Sequence, residues 1–95
     1  MAAIFEWNAR KELANRAKHG VGFDEAMTVF ADPLGRVVDD PRDSHGEQRS
    51  VLLGLSVQGR ILAIMFTERG ADRVRIISAR RATRHERQEY EEGRP

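Results

Sequence analysis

Between residues 69 and 84 the chain carries six arginines (69, 73, 75, 80, 81 and 84) against the single acid Asp72. Lys11 and Lys18 are the only lysines in the sequence. Arginine's planar fork of N–H donors fits phosphate and carboxylate, whereas lysine is the usual solvating cation. Six such groups around one strand and its loop point to an anionic ligand. Taken singly, an arginine is as readily explained by solvation or an ion pair, and Arg81 and Arg84 have Glu86 and Gln88 close by in sequence. Groups that could move a proton are few. His19 follows Lys18 at what reads as a helix end, where both also complement the negative end of the dipole. Glu68 adjoins the arginines and could accept a proton or pair with Arg69 or Arg73. Tyr90 could stack on a base or anchor its helix. His45 sits in an acidic stretch that would repel a polyanion. The three histidines lie far apart and there is no cysteine, so no metal-ligand spacing is present.

The elements that must position these groups belong to a chain of 95 residues, read as one domain over 1–95. The net charge of +1 hides a polarity, because residues 24–47 hold seven acids against Arg36 and Arg42. The lack of cysteine suits a reducing compartment. No apolar run approaches the roughly 20 residues of a membrane span, and no signal-peptide pattern is seen. The expectation is a cytoplasmic protein that contacts no membrane.

Asn8 suits the N-cap of a helix over 9–19, with Ala9, Leu13 and Ala17 on one face and Gly20 to end it in the left-handed conformation. A second helix follows, with Phe23, Ala26, Met27 and Phe30 as its apolar stripe and Asp32-Pro33 as its stop. "FEW" (5–7) and "GRVVDD" (35–40) read as short strands, with a polar loop at 41–48. Residues 49–57, 60–67 and 73–79 alternate by twos and read as strands. A two-residue turn at Gln58-Gly59 would pair Leu53 with Ile64, and a loop at 68–72 would pair Phe66 with Val74. Both registers put Val51, Leu53, Leu55, Leu62, Ile64, Phe66, Val74 and Ile76 on one face, with Arg73 and Arg75 on the other. Thr83 and Glu86 form a capping box for a last, polar helix over 84–92. The predicted fold is α+β, an antiparallel sheet with the two N-terminal helices on one face and a polar C-terminal helix.

Four blocks resemble the BrnT family of toxins from type II toxin–antitoxin modules: "FEWN" (5–8), "KHGV-F-EA--VF-DP" (18–33), "D-HGE-R" (43–49), and "TERG" (67–70) continued by "RIISARRAT" (75–83), Glu86, Arg87 and Tyr90. The resemblance spans Phe5 to about Tyr90. Asn8 stands where the family commonly has Asp, and Ala31 where a second acid often precedes Asp32-Pro33. The resemblance implies a RelE-like fold and an endoribonuclease that arrests translation. It also implies neutralisation by a BrnA-type ribbon-helix-helix antitoxin, in a complex, usually a heterotetramer, that represses its own operon and contacts operator DNA only through the antitoxin.

RNA cleavage by 2′-hydroxyl attack needs a proton acceptor, a donor to the leaving oxygen, and cations for the charge building on phosphorus. Without a ligand set for a metal, metal-independent chemistry with no cofactor is the expectation. The candidates for catalysis are Lys18, His19, Glu68, Arg75 and Arg80. Those for RNA binding are Arg69, Arg73, Arg81 and Tyr90. The alternative is a non-catalytic nucleic-acid-binding or protein-interaction module that uses the same arginine-rich sheet face.

Overall fold

Each stretch of period 3.6 becomes a helix and each stretch of period two a strand. The computed structural model describes residues 3–39 and 49–93, so the expected loop at 41–48, with His45, lies outside the described residues. In chain order the elements are β1 (Ile4–Glu6), α1 (Ala9–His19), α2 (Phe23–Val29), β2 (Arg36–Asp39), β3 (Ser50–Leu55), β4 (Ile61–Glu68), β5 (Arg73–Arg81) and α3 (Arg84–Glu92). They build one five-stranded sheet in the order β1-β5-β4-β3-β2. The sheet is mixed, which corrects the expected antiparallel one: β1 runs parallel to β5, with Phe5 opposite Val74 and Glu6 opposite Arg75. Most of the chain separates these two strands, so no hairpin dictates their relative direction.

The β3–β4 register differs from expectation by one residue, because the turn is longer. Ser56 N–H donates to Arg60 O, and Gly59 N–H donates to Ser56 O, both at 2.9 Å. The loop is therefore Val57-Gln58-Gly59, with Gly59 in the left-handed region at φ +80°. This is the three-residue hairpin that ends in a left-handed glycine. Leu53 accordingly faces Ala63, Leu52 faces Ile64 and Gly54 faces Leu62. A slip of one residue exchanges the faces of a strand, so Leu52 joins Leu62, Ile64, Phe66 and Ile76 on the α2 side. Val51 and Leu53 join Ala63 and Tyr90 on the other. A strand reading "VLLGL" is apolar on both faces because both are covered.

Along β4–β5, Phe66 faces Ile76 and Thr67 faces Arg75, after which a bulge moves the pairing so that Met65 faces Ser78 and Ile64 faces Ala79. The bulge reverses the alternation of β5. Ala79 enters the core, Arg80 comes opposite Ala63 and Arg81 opposite Leu62.

The two N-terminal helices do not share one face as expected: α2 covers one face of the sheet and α1 lies at the edge of β5, while α3 lies on the other face. Within α2, Phe23, Ala26 and Val29 are buried, while Met27 is 36% exposed. Gly54 lets α2 approach closely, since a Cβ there would stand 2.7 Å from Val29 Cγ1. Phe30 packs edge-on against Phe5 and Phe66, at 5.0 and 5.1 Å between centroids. Helix α1 is capped as expected, by the Asn8 side chain at one end and by Gly20 at φ 70° at the other. Its Ala9, Leu13 and Ala17 face is nevertheless exposed, with Leu13 66% open to solvent. The buried residue of α1 is Asn15. Its Nδ2 donates to Ala79 O at 2.7 Å and Val21 O at 2.9 Å, and its Oδ1 accepts from Ala79 N–H at 3.1 Å. Because β1 pairs only with Arg73–Arg75, the far half of β5 has an open edge, and Asn15 closes it with the two bonds a neighbouring strand would make.

Helix α3 carries the expected capping box and lies on the face opposite α2. Tyr90 is 2% exposed against Val51, Leu53 and Ala63. Its hydroxyl donates to Asp32 Oδ2 at 2.7 Å, the same oxygen that accepts Leu55 N–H at 2.8 Å. No helix among the described residues is long and apolar enough to cross a membrane.

Candidate functional site

Strand β5 carries four of the nominated residues, and its pairing distributes them. At its start, Arg73 and Arg75 project on the same face, two residues apart. The parallel register sets Glu6 of β1 directly beside Arg75. Arg75 Nη1 donates to Glu6 Oε2 at 2.9 Å, and Arg73 Nη1 stands 3.5 Å from Glu6 Oε1. The carboxylate thus lies between two guanidinium groups, half-buried with Arg75 and more open towards Arg73. Arg69 adjoins them, its N–H donating to Arg73 O at 2.8 Å. Glu68 is opposite Val74 and so belongs to the other face. The structure therefore brings Arg73 and Arg75 together around Glu6, with the Arg69 backbone beside Arg73, and leaves Glu68 apart from Arg75.

Arg80 is occupied differently. Its Nη1 and Nη2 donate to the two carboxylate oxygens of Glu86 at 2.6 and 3.0 Å. This two-point pair holds the Glu86 carboxyl below its ordinary range, chiefly through the Arg80 hydrogen bond and against the opposing effect of burial. Glu86 also accepts Thr83 N–H at 2.9 Å. Arg80 thereby ties the first turn of α3 to the sheet.

Lys18, His19 and Arg81 lie towards the far end of β5. Gly20, which follows Lys18 and His19, accepts from Arg60 Nη2 at 3.2 Å. Arg60 Nε donates to Glu25 Oε2 at 2.9 Å, Nη2 bonds Glu25 Oε1, and Ser56 Oγ donates to Glu25 at 2.7 Å. Glu25 is buried, and the Arg60 hydrogen bond holds its carboxyl below the ordinary range despite desolvation, with Ser56 and Arg81 acting in the same sense. The same pairing raises Arg60 above its usual value. Lys18 and Arg81 are exposed and His19 is half-buried at this end. Six residues of strand separate Arg75 from Arg81, or about 20 Å at ~3.3 Å each. Lys18 and His19 therefore do not join the Arg75 cluster. Tyr90 is in the core, so its ring has no free face for a base, and its observed role is to anchor α3.

Glu6 and Arg60 are the participants that sequence reasoning missed. Glu6 sits in a three-residue strand whose parallel partner is remote in sequence. Arg60 had a signal, since the residue after a hairpin glycine is held at the sheet's end. Among the described residues no three His, Asp or Glu side chains gather in a way that would hold a metal ion. Chemically, the Glu6 cluster offers two cations for one phosphate with a carboxylate in contact.

Comparison with known proteins adds two findings. The family model described as the ribonuclease toxin BrnT of type II toxin–antitoxin systems matches residues 7–86. The 1.1 Å crystal structure of the Brucella abortus ribonuclease toxin BrnT superposes with a TM-score of 0.65 at 23% identity, over 88% of this chain and 100% of that one. No curated protein matches the sequence.

Proposed function

Because this chain belongs to the BrnT family of ribonuclease toxins of type II toxin–antitoxin systems, we propose that it cleaves RNA by attack of a 2′-hydroxyl on the adjacent phosphorus, with arginines in place of a metal ion. The observation that carries this reading is the Glu6 carboxylate held between Arg75 and Arg73. Arg75 and Arg73 bind the phosphate oxygens and stabilise the charge added at phosphorus. Each well-placed donor of that kind is worth about 10²–10³ in rate. Glu6 takes the 2′-hydroxyl proton, in preference to Glu68 on the opposite face, and proton transfer of this kind contributes roughly 10²–10⁴. As the O2′–P bond forms the P–O5′ bond breaks, and the leaving 5′-oxygen takes its proton from water. Arg69 adds affinity for the flanking backbone. Arg80 acts through Glu86 as a positioning residue, and Lys18, His19 and Arg81 form a second basic surface at the other end of β5.

In the cell this activity inhibits translation in the cytoplasm. A BrnA-type ribbon-helix-helix antitoxin neutralises it, in a heterotetramer that represses its own operon and reaches DNA only through the antitoxin. The RelE-like character of the fold belongs to this same reading.

The test is incubation of the purified chain with end-labelled RNA in excess chelator. Products ending in 2′,3′-cyclic phosphate are expected, with the rate reduced about 10²–10³-fold by Arg75→Ala. Folded Arg75→Ala and Glu6→Gln proteins that cleave at the full rate would remove both residues from the chemistry. RNA that is bound but never cleaved, with or without ribosomes, would favour the binding-module alternative.

A further inference from the structure

An open cleft of about 280 Å³ lies where the β3–β4 hairpin meets the segment leading into α3, lined by Gly59, Arg60, Ile61, Arg81, Ala82 and Arg87. Its charged lining is three guanidinium groups with no carboxylate among them. The side chains of Arg81 and Arg87 make no hydrogen bond or ion pair among the described residues, although Glu25 lies near enough to Arg81 to feel its charge. Arg60 is fixed from behind: Nε and Nη2 are engaged by Glu25 and Gly20, so the two N–H groups on Nη1 have no partner among the described residues. The Glu25 carboxylate neutralises one of the three cations, leaving two positive charges over a cleft that one tetrahedral anion can enter.

We propose that this cleft is a phosphate subsite, in which Arg60, Arg81 and Arg87 hold a backbone phosphodiester of bound RNA away from the Arg73–Glu6–Arg75 cluster. The proposal rests on the reading of the chain as an RNA-cleaving protein. Strand β5 links the two places, about 20 Å apart along the strand, with Arg81 opposite Leu62 on the α2 side and Arg75 on the other face, so a bound strand reaches both by passing round the end of the sheet. A single-stranded polyanion that crosses that distance meets cations at both ends, whereas an isolated acidic side chain would engage only one. Preorganisation of Arg60 by a buried carboxylate also suits a bridging phosphate, since the guanidinium need not be ordered on binding.

The experiment titrates the chain with a fluorescent 2′-O-methyl RNA oligonucleotide, which cannot undergo 2′-hydroxyl attack, across a range of salt. Each phosphate contact on a single strand contributes about 0.7 to the slope of log affinity against log salt, equivalent to roughly fivefold in affinity between 1 M and 0.1 M salt. Arg81→Gln with Arg87→Gln strips the charge that neutralises this one phosphate and is expected to flatten that slope by about 0.7 and weaken binding about fivefold at 0.1 M. Arg87→Glu alone should weaken it further than Arg87→Gln. Both positions are exposed, and an unchanged thermal midpoint verifies folding. Wild-type binding with an unaltered slope in the double variant would overturn the subsite while leaving the ribonuclease reading standing. Failure of the wild type to bind the oligonucleotide would remove that reading and the subsite with it. Loss of affinity for poly-glutamate alone, with RNA binding intact, would overturn the assignment in favour of an acidic protein partner.

Discussion

Replacing Asn15 tests whether a single amide closes the open half of β5. Asn15 is 7% exposed and satisfies three backbone groups, Ala79 N–H, Ala79 C=O and Val21 C=O. Each buried group left unpaired costs about 1–3 kcal/mol. Truncation in Asn15→Ala opens room beside polar groups for a water molecule, which needs two to four polar partners and finds them here. That partial rescue gives an expected loss of about 2–4 kcal/mol, a large share of the roughly 5–15 kcal/mol of a typical domain. Asn15→Leu restores the volume, keeps water out and makes none of the bonds, so it should be worse than alanine despite being the more conservative in size. Asn15→Asp keeps the acceptor for Ala79 N–H but sets a carboxylate against two carbonyl oxygens. Its folded-state pKa must then rise, so its penalty should be greatest at neutral pH and shrink as the pH falls. The assay is urea unfolding at several pH values, with an unchanged dependence on denaturant confirming that the unfolding reaction is the same. Losses below about 1 kcal/mol for alanine, or a leucine variant more stable than the alanine one, would refute the edge-closing role.

Other perturbations probe the remaining joints. Tyr90→Phe removes a hydrogen bond to the Asp32 carboxylate and should cost about 1.5–3 kcal/mol by thermal or urea unfolding, with RNA affinity unchanged; a loss of affinity without loss of stability would reinstate Tyr90 as a base contact. Glu25 and Glu86 are both held below their ordinary value of 4.5, so their stabilisation is complete above pH about 4.5 and is lost as the pH falls through the lowered folded-state values. The thermal midpoint should therefore hold between pH 7 and 5 and drop towards pH 3, and Glu86→Gln should lessen the drop; an equally steep drop in that variant would show that the pair does not govern it. Gly54→Ala drives a methyl into Val29 and should cost about 1–3 kcal/mol, against about 1 kcal/mol for Gly59→Ala in its solvent-exposed left-handed turn; equal losses would mean that α2 yields freely.

Local signals in the sequence were sufficient wherever a residue answers to its chain neighbours. The Asn8 cap, the left-handed Gly20, and the Thr83–Glu86 box lie where their hydrogen-bonding demands put them, and α1 and α3 have the expected bounds. The errors arose where alternation was read on the premise that only one face of the sheet is covered. Leu53 and Leu52 are equally apolar, so composition cannot choose between registers, and the one-residue difference in the Gly59 turn decided it. Spacing groups Leu13 with Ala9 and Ala17 on one face of α1, but that face is exposed and Asn15 is the buried residue, for a reason that hydrophobic periodicity cannot express: the edge of β5 needs a donor and an acceptor. A mid-helix asparagine, a poor helix former, was the available hint. For the site, the Arg73, Arg75 and Arg69 grouping was legible from alternation and loop position. Glu6 was not, because a parallel pairing between the two ends of the chain leaves no local trace.

The bulge in β5 explains why one strand serves two purposes. Simple alternation would have left Arg80 on the face of Val74 and Ile76, against α2. The phase change after Ile76 instead puts Ala79 in the core, turns Arg80 towards Glu86 on α3, and delivers Arg81 beside Arg60. Bulges that re-aim side chains recur next to functional sites. Here the consequence is a division of labour among arginines that look equivalent in sequence. Arg73 and Arg75 remain in contact with the Glu6 carboxylate, Arg80 fastens a helix, and Arg81, without an ion pair among the described residues, stands at the end of the sheet. Charge along this strand is thus not a uniform attractant for a polyanion. It is divided between the two ends and the two faces of the sheet, with the Arg80–Glu86 pair between them.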